Sequence, residues 1–220
     1  MPSIGDNTVT FQTLRVILIG GTSHAGKSTL AQSLASQLGW ACRSTDTLAK
    51  HPGRPWRTPP KTVPEHVATH YLSLSTDELV VDVRRHYRDV VWPLIAEIVT
   101  RHATDTSRDR LVLEGSAIMP ELAVTIKIEN VAALWLTASD ELLVHRILQA
   151  SELESRSSTE RTMIDRFVYR TIRYNEQIIE TAGRLGLAQL DVGNFSAPET
   201  LVAACLSQLA GGVPEEFTPP

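Results

Sequence analysis

The sequence has few cysteines, few aromatic residues and no long apolar run. Its two cysteines, Cys42 and Cys205, lie far apart and follow no Cys/His ligand spacing, so it predicts neither a disulfide framework nor a zinc site. We expect both thiols to be reduced and buried. No stretch approaches the roughly 18 apolar residues that would span a membrane, and the first residues lack a basic segment followed by an apolar one. These absences predict a soluble cytoplasmic protein with no membrane partner.

The sequence also lacks a large excess of charge of one sign. The formal net charge is -4 and the isoelectric point is about 6.0. This argues against a nucleic-acid partner, because binding the phosphate backbone needs a concentrated excess of lysine and arginine. With 220 residues, 42% of them hydrophobic, the chain can bury one sizeable core. We expect a flexible leader over residues 1–13, a single domain over 14–210 and a flexible tail over 211–220.

Short apolar runs alternate along the chain with segments of helical periodicity. The predicted strands are Leu14–Ile19, Trp40–Ser44, Leu111–Leu113, Val131–Leu136 and Gln189–Val192. One predicted helix starts at Lys27. The other predicted helices cover Thr76–His102, Asp140–Gln149, about 158–185 and Ala197–Leu209. This alternation predicts a three-layer α/β fold, with a five-stranded parallel sheet and helices on both faces. Ligands of such sheets bind beyond the carboxyl ends of the strands.

Two helices and one loop carry specific expectations. Pro93 either starts a new helical segment or kinks a long helix. Residues 52–64 hold five of the twelve prolines and are expected to be a largely non-helical loop or insertion. In the helix at about 158–185, a 3.6-residue rhythm predicts one apolar face. Its members are Ile164, Val168, Ile172, Ile179 and Ala182.

The glycine turn after the first strand has the sequence of a phosphate-binding loop. Residues 21–28, GTSHAGKS, fit the pattern G-x-x-x-x-G-K-[ST] between a predicted strand and a predicted helix. In such a loop backbone N–H groups surround phosphate oxygens, and Lys27 is expected to reach the β- and γ-phosphates of ATP. Ser28 is expected to bind Mg²⁺, and Thr29 to lie near the α-phosphate. The predicted nucleotide contacts in the loop are Gly21, Thr22, Ser23, His24, Ala25, Gly26, Lys27, Ser28 and Thr29.

The loop predicts a bound nucleoside triphosphate but leaves the reaction open. The alternative interpretation of residues 21–28 is a glycine-rich turn whose lysine faces solvent. That interpretation does not explain why Lys-Ser directly follows the second glycine of the pattern. The guanine-reading pattern Asn-Lys-x-Asp is absent, and the strand that ends in Asp in motor ATPases ends here in Glu114. Both observations disfavour a GTPase switch or a mechanical ATPase relative to a kinase.

Residues Asp140–Ile147, DELLVHRI, resemble the start of the lid in adenylate-kinase-like enzymes. The resemblance implies that Arg146 lies against the adenine or the phosphates of the nucleotide. The second lid arginine of those enzymes corresponds to Ala150 here, so Arg156 and Arg161 are its predicted substitutes. Arginine suits this role because its planar, permanently charged fork neutralises phosphate oxygens in the transition state.

The predicted lid covers about residues 150–162. Its arginines have an equally weighted alternative, an ordinary charged helix face with i,i+4 pairs such as Glu152 to Arg156. Three arginines further along the chain are expected more on the surface than in a site: Arg166, Arg170 and Arg173.

Other short segments resemble P-loop proteins related to 2-phosphoglycerate kinase. They are Ser44-Thr45-Asp46, Leu113-Glu114-Gly115 with Pro120 after it, and the run from RSxxER to Tyr174-Asn175. Together with the lid, they imply a P-loop small-molecule kinase of the adenylate-kinase-like superfamily. The resemblance extends over much of the chain from 14 to 192, and it implies the fold and the reaction type more than the acceptor.

Two carboxylates at strand ends are predicted to act in catalysis beside Lys27 and the lid arginines. Asp46 is expected to hold the acceptor hydroxyl and take its proton, as related small-molecule kinases use an Asp at this strand end. Its alternative role is a helix N-cap. Glu114 is expected to orient a Mg²⁺-bound water or to bind the acceptor, and its alternative is a strand-end acid with satisfied hydrogen bonds.

A basic loop follows the second strand. Between Asp46 and Glu65 there is no acidic residue, while lysines and arginines accumulate. Within an acceptor-binding region at about 46–103, this loop is expected to recognise a carboxylate or phosphate, and its tryptophan to offer a flat apolar contact. The alternative is a solvated loop. The predicted acceptor contacts are Asp46, His51, Arg54, Trp56, Arg57 and Glu114.

Three functions remain open from the sequence. The first is a kinase that uses ATP and Mg²⁺ to phosphorylate a small, anionic metabolite. The second is a phosphotransferase that modifies an antibiotic or another secondary metabolite. The third is a nucleotide-binding regulatory NTPase with a protein partner, which would require a long exposed apolar patch. We expect a monomer or a homodimer.

Overall fold

The computed structural model describes residues 13–58 and 61–209. The leader predicted at 1–13, apart from Thr13, and the tail predicted at 211–220 lie outside the described residues, as do Pro59, Pro60 and Ala210. The strands are β1 Val16–Gly21, β2 Ala41–Ser44, β3 Leu111–Glu114, β4 Val131–Thr137 and β5 Gln189–Asp191. The helices are α1 Lys27–Leu38, α2 Glu65–Ser73, α3 Thr76–His86, α4 Trp92–Thr104, α5 Pro120–Ala123, α6 Asp140–Ser151, α7 Ser158–Arg184 and α8 Pro198–Leu209.

The five strands form one parallel sheet in the order β2-β3-β1-β4-β5, which confirms the predicted fold class. Side chains of β1 alternate between two apolar layers, because successive residues of a strand point to opposite faces. Ile17 and Ile19 pack with α1 and α8, and Val16 and Leu18 pack with α4 and α7. Both faces of the sheet are therefore covered by helices.

The register brings the polar strand ends to one edge. Glu114, the last residue of β3, is paired in register with Ile19 of β1 on one side and with Ser44, the last residue of β2, on the other. The phosphate loop leaves β1 two residues after Ile19. The predicted phosphate loop, Asp46 and Glu114 thus meet at the carboxyl edge of the sheet, where ligands of parallel sheets bind.

A third apolar cluster lies outside the sheet, between the helices of the acceptor-binding region and those of the predicted lid. Trp56, Tyr71 of α2, Ile147 of α6 and Phe167 of α7 are among its buried members. Helix α2 was not predicted, because it is short and buries only Val67 and Tyr71. Tertiary packing, more than its own periodicity, stabilises such a helix.

Pro93 lies within a continuous helical stretch. Helix α3 passes through a π-helical segment, Tyr87–Val91, directly into α4, with Pro93 in the first turn of α4. The wider π turn accommodates a proline, which has no N–H to donate to the preceding turn. The structure thus shows a π-helical segment before Pro93, where the sequence predicted either a new helical segment or a kink.

Two expectations about burial are wrong. Cys42 is exposed, because β2 is an edge strand whose central residues are not covered. Ile179 is also exposed. The preceding residue, Ile178, is buried. Because each residue turns a helix by about 100°, Ile179 lies on a different face of α7.

Among the described residues, no helix is long and apolar enough to cross a membrane.

Candidate active site

The phosphate loop is shaped by two residues with left-handed backbone conformation. Gly26, which precedes the first residue of α1, has φ 94°, and His24 has φ 64°. A side chain at Gly26 would be strained in this conformation, whereas histidine tolerates it at a moderate cost. This explains the second glycine of the motif.

The N-terminus of α1 is left open. No side chain caps it, whereas Ser75, Ser139 and Ser157 cap the N-termini of α3, α6 and α7. The first N–H groups of a helix need acceptors, and a bound phosphate supplies them. The uncapped start therefore fits an anion site.

Lys27 lies buried beneath the loop. It is 8% exposed, and its Nζ donates a hydrogen bond to the Thr22 carbonyl at 2.8 Å. Burial lowers the pKa of Lys27, Glu114 and Asp46 act in the opposite direction, and Arg54 lowers it further. The nearby carboxylates thus favour the charged ammonium that a phosphate would require.

Ser28 and Glu114 provide adjacent oxygen atoms. The Ser28 hydroxyl donates to Glu114 Oε1 at 3.1 Å, and Glu114 is buried at the end of β3. Hydroxyl and carboxylate oxygens are ligands that suit Mg²⁺. Glu114 is therefore hydrogen-bonded, as expected for a strand-end acid with satisfied hydrogen bonds. Its partner, however, is Ser28, the residue predicted to bind Mg²⁺.

Arg146 of α6 contacts the loop, while its position against the adenine or the phosphates stays a prediction. Its Nη1 donates to the His24 carbonyl at 2.9 Å. The His24 ring lies edge-on to Phe167, with 6.0 Å between ring centroids. Burial, together with the nearby charges of Arg54, Lys27 and Arg146, lowers the pKa of His24 to about 4. Positive charge is thus concentrated around the loop.

A cavity of about 580 Å³ opens above the phosphate loop. Its polar end is lined by residues 23–29 of the loop, with Asp46, Arg54, Glu114 and Arg146. The other end is apolar and comes from the segment after β5 and the start of α8. Its apolar residues there are Val192, Phe195, Pro198 and Leu201. These four residues were not predicted from the sequence as part of the site. Only their position after the last strand could have indicated them.

A second cavity, of about 250 Å³, adjoins the first. The two share four lining residues: Ser23, Asp46, Arg54 and Ser116. The second cavity is further lined by residues of the basic loop, the end of α3, the π segment and α7, including His51, His86, Tyr87, Phe167 and Arg170. Asp46 therefore lies where the two cavities meet.

Arg170 was expected more on the surface than in a site, and this is wrong. It is 7% exposed, and its guanidinium carbon lies 4.6 Å from the Phe167 ring centroid. Its Nη1 is buried and has no hydrogen-bond partner among the described residues. Arg170 falls on the buried face of α7 because it follows Phe167 by three residues and precedes Tyr174 by four.

Two predicted acceptor contacts line neither of these cavities. Trp56 is buried in the third apolar cluster, against Phe167. The Arg57 guanidinium donates to the carbonyls of Arg54 and Trp56. Arg54, by contrast, lines both cavities, so the basic loop contributes to the site through a different residue than its tryptophan.

The lid arginines also lie outside both cavities. Arg156 donates to the carbonyls of Ser151 and Arg57, at 2.6 and 3.0 Å, and Arg161 donates to those of Arg156 and Glu154. Their contact with phosphate stays a prediction.

The predicted lid spans the connection between two helices. Only residues 152–157 separate α6 from α7, so the ends of the predicted range 150–162 are helical. Arg156 joins this connection to the basic loop through its hydrogen bond to Arg57.

Asp46 does not serve as the N-cap of the 3-10 turn that follows β2. Ser44 does so, because its side chain accepts from the Asp46 N–H at 3.3 Å. Asp46 therefore does not cap this turn, and it lines both cavities.

Comparisons with known proteins agree with this architecture. No protein-family model and no curated protein matches the sequence. Among solved structures, a sugar kinase from Janibacter sp. HTCC2649 is 19% identical, with a TM-score of 0.51, over 89% of this chain and 94% of that one. A gluconokinase from Sinorhizobium meliloti 1021 is 19% identical, over 89% and 91%, with a TM-score of 0.49. Shikimate kinase from Acinetobacter baumannii is 19% identical, over 91% and 96%, with a TM-score of 0.45. At this identity the likeness to the sugar kinase establishes only that the two chains share a fold.

Proposed function

We propose that this protein is an ATP-dependent kinase that transfers the γ-phosphoryl group to a hydroxyl of a small, anionic metabolite. One observation carries the proposal. The cavity above the phosphate loop and the smaller cavity beside it meet at Asp46. A nucleotide and an acceptor held in these cavities would present the γ-phosphate and a hydroxyl to each other at a carboxylate.

The first cavity suits ATP in both size and lining. Its volume of about 580 Å³ lies in the range of cofactor sites, which is roughly 300 to 1,000 Å³. The phosphates would bind the N–H groups of the loop, Lys27 and Arg146, while the base would lie against Phe195 and Leu201. Ser28 and Glu114 would hold Mg²⁺, directly or through water, and the ion supplies positive charge to the phosphate oxygens.

Asp46 is proposed to act as the general base. Its carboxylate accepts the proton of the acceptor hydroxyl as that oxygen forms a bond to the γ-phosphorus. The bond between the γ-phosphorus and the oxygen bridging to the β-phosphate breaks, and ADP leaves with the electron pair. Lys27 is positioned to neutralise the charge that moves onto the phosphate oxygens.

The second cavity favours an anionic acceptor. Two of its lining residues are arginines, Arg54 and Arg170, and its acidic lining residue is Asp46. The orphaned Nη1 of Arg170 is a buried donor that a carboxylate or phosphate would satisfy, since bonds to ionised groups are the strongest available to it. The same charges disfavour a cationic antibiotic as the acceptor.

The proposal is tested with purified protein, ATP and Mg²⁺ against hydroxycarboxylates, sugar phosphates and, as a contrast, aminoglycosides. ADP release identifies substrates, and phosphorus NMR identifies the phosphorylated product. We expect turnover with an anionic acceptor, and Lys27→Ala should reduce it at least about a thousandfold. Lys127→Ala, at an exposed lysine outside the basic loop and both cavities, is the control and should retain activity. Failure to bind ATP, or full turnover by Lys27→Ala, would show that the protein is not this kinase.

A further inference from the structure

A cluster of metal-ligand side chains lies beside the second cavity, outside the groups proposed for phosphoryl transfer. It consists of His51 in the basic loop, His70 in α2 and Asp82 in α3. One ligand atom from each lies within 4.8 Å of the others. We propose that His51, His70 and Asp82 bind a divalent transition-metal ion of the zinc class.

The distances in the cluster match a shared ion better than direct contacts. His51 Nε2 lies 3.6 Å and His70 Nδ1 lies 3.9 Å from Asp82 Oδ2. Both separations exceed those of ordinary hydrogen bonds, which are about 2.7 to 3.2 Å. Two donors bound tetrahedrally to zinc, each at about 2.0 to 2.2 Å, lie roughly 3.3 to 3.6 Å apart. The two distances to Asp82 Oδ2 are close to this spacing, and the ligand atoms of the two histidines lie within 4.8 Å of each other.

One buried ring nitrogen without a partner, Nε2 of His51, supports the same conclusion. Nε2 of His51 and Nε2 of His70 are both buried and have no hydrogen-bond partner among the described residues. Buried polar atoms are seldom left in this state. A metal ion bound by His51 Nε2 would occupy that atom, whereas His70 would bind through Nδ1 and keep its proton on Nε2. On His51, the proton on Nδ1 would end the 3.4 Å hydrogen bond that this atom accepts from the Gly53 amide.

The ligand types indicate which ion would bind. Two imidazoles and one carboxylate suit zinc, cobalt or nickel, whereas Mg²⁺ prefers oxygen ligands throughout. The site is therefore chemically distinct from the proposed Mg²⁺ position at Ser28. Asp82 also pairs with Arg85 through its other oxygen, Oδ1, which leaves Oδ2 toward the two histidines.

The ion would join three separate segments of the acceptor-binding region. His51 belongs to the loop that carries Arg54, and both residues line the second cavity. Bound metal would hold this loop against α2 and α3, with an open coordination position for water. Its role would be to fix the loop, and it does not depend on the chemistry proposed above.

The test uses tag-free, full-length protein that has been stripped with a chelator. Calorimetry with zinc chloride in excess Mg²⁺ should give about one zinc ion per chain, and cobalt should give the visible absorption of a tetrahedral site. His70→Gln and Asp82→Asn should each weaken zinc binding by about a hundredfold or more. His66→Gln, at an exposed histidine one turn away on α2, should bind as the wild type does.

Three outcomes would overturn the site. They are no stoichiometric zinc binding by the wild type, unchanged affinity in both ligand variants, or a cobalt spectrum with sulfur charge-transfer bands, which would indicate the exposed Cys42 instead. The spectrum is measured on wild-type protein, so the test stands even if a variant does not fold. Circular dichroism of each metal-free variant checks its folding.

Discussion

At the scale of single residues, the site depends on a few charged side chains that the fold brings to one edge of the sheet. Asp46 lies where the two cavities meet, Arg170 is buried on one side of it and Lys27 on the other. Their proposed roles differ, since Asp46 transfers the proton, Arg170 binds the acceptor and Lys27 binds phosphate. Substitutions at these positions should therefore change different kinetic constants.

Asp46→Asn should lower kcat by about a thousandfold, because the amide cannot accept the acceptor proton. The side chain keeps its size, so the Kd for ATP should change by less than about threefold. Steady-state turnover and a nucleotide titration measure the two constants. The control is Asp109→Asn, at an exposed aspartate away from the site. Wild-type turnover of Asp46→Asn would remove this residue as the base.

Arg170→Lys should raise the KM for the anionic acceptor by about ten- to a hundredfold with a smaller change in kcat. The charge is kept, but lysine lacks the planar fork that stacks on Phe167 and binds a carboxylate through two donors. Arg173→Lys is a matched control on the same helix, where the exposed arginine pairs with Glu176. Equal KM values in the two variants would contradict an acceptor role for Arg170.

At the scale of elements, the strand ends must approach closely for the site to form. Gly115 follows β3 with φ 157°, and a Cβ built there would lie 1.7 Å from Thr45 Oγ1, just after β2. The glycine of Leu113-Glu114-Gly115 therefore lets the ends of β2 and β3 come together. That approach sets Asp46 near Glu114.

Gly115→Ala should lower the free energy of unfolding by at least about 2 kcal/mol, because the methyl group meets Thr45 and the backbone is strained. Urea unfolding followed by circular dichroism measures the change. Gly183→Ala in α7 is the control, since a Cβ there has its nearest neighbour at 3.7 Å. Helix propensity predicts that this control is neutral or stabilising by about 0.5 to 1 kcal/mol. Similar stability of both variants would show that the close approach is not required.

At the scale of the whole molecule, stability should depend on pH through buried bases. The pKa of His24 falls from 6.5 to about 4 on folding, chiefly through burial. Below pH 6.5 the unfolded chain binds a proton that the folded chain does not, so acid favours unfolding. The stability that His24 contributes is complete above about pH 6.5 and is lost as the pH falls toward 4.

Without nucleotide, the Tm should fall between pH 7 and pH 5, and His24→Asn should make the fall smaller. Asparagine is chosen because it tolerates the left-handed backbone at this position. Thermal unfolding at a series of pH values provides the measurement. His145→Asn, at an exposed histidine on α6, should leave the pH dependence as it is in the wild type. A parallel shift of the His24→Asn curve, with no change of slope, would contradict this linkage.

The phosphate loop and the sheet could be predicted because their signals are local. The motif occupies eight consecutive residues, and each strand is a short apolar run with a turn after it. Glu114 and Asp46 could be placed at one edge for the same reason, since parallel strands end together. The boundaries of the strands and of most helices lay within a few residues of the prediction, and the short helices α2 and α5 were missed.

What the sequence by itself determined is therefore a glycine-rich loop with a phosphate-binding pattern, on a five-stranded parallel sheet, because contiguous residues specify both. Only the tertiary structure decided that Trp56 belongs to a buried cluster, that Arg170 faces a cavity, and that His51, His70 and Asp82 lie together. These residues come from segments far apart in the chain, and their neighbours depend on how α2, α3 and α7 pack. Helical periodicity gives the spacing along one helix, but the partner of each face is set by packing between helices.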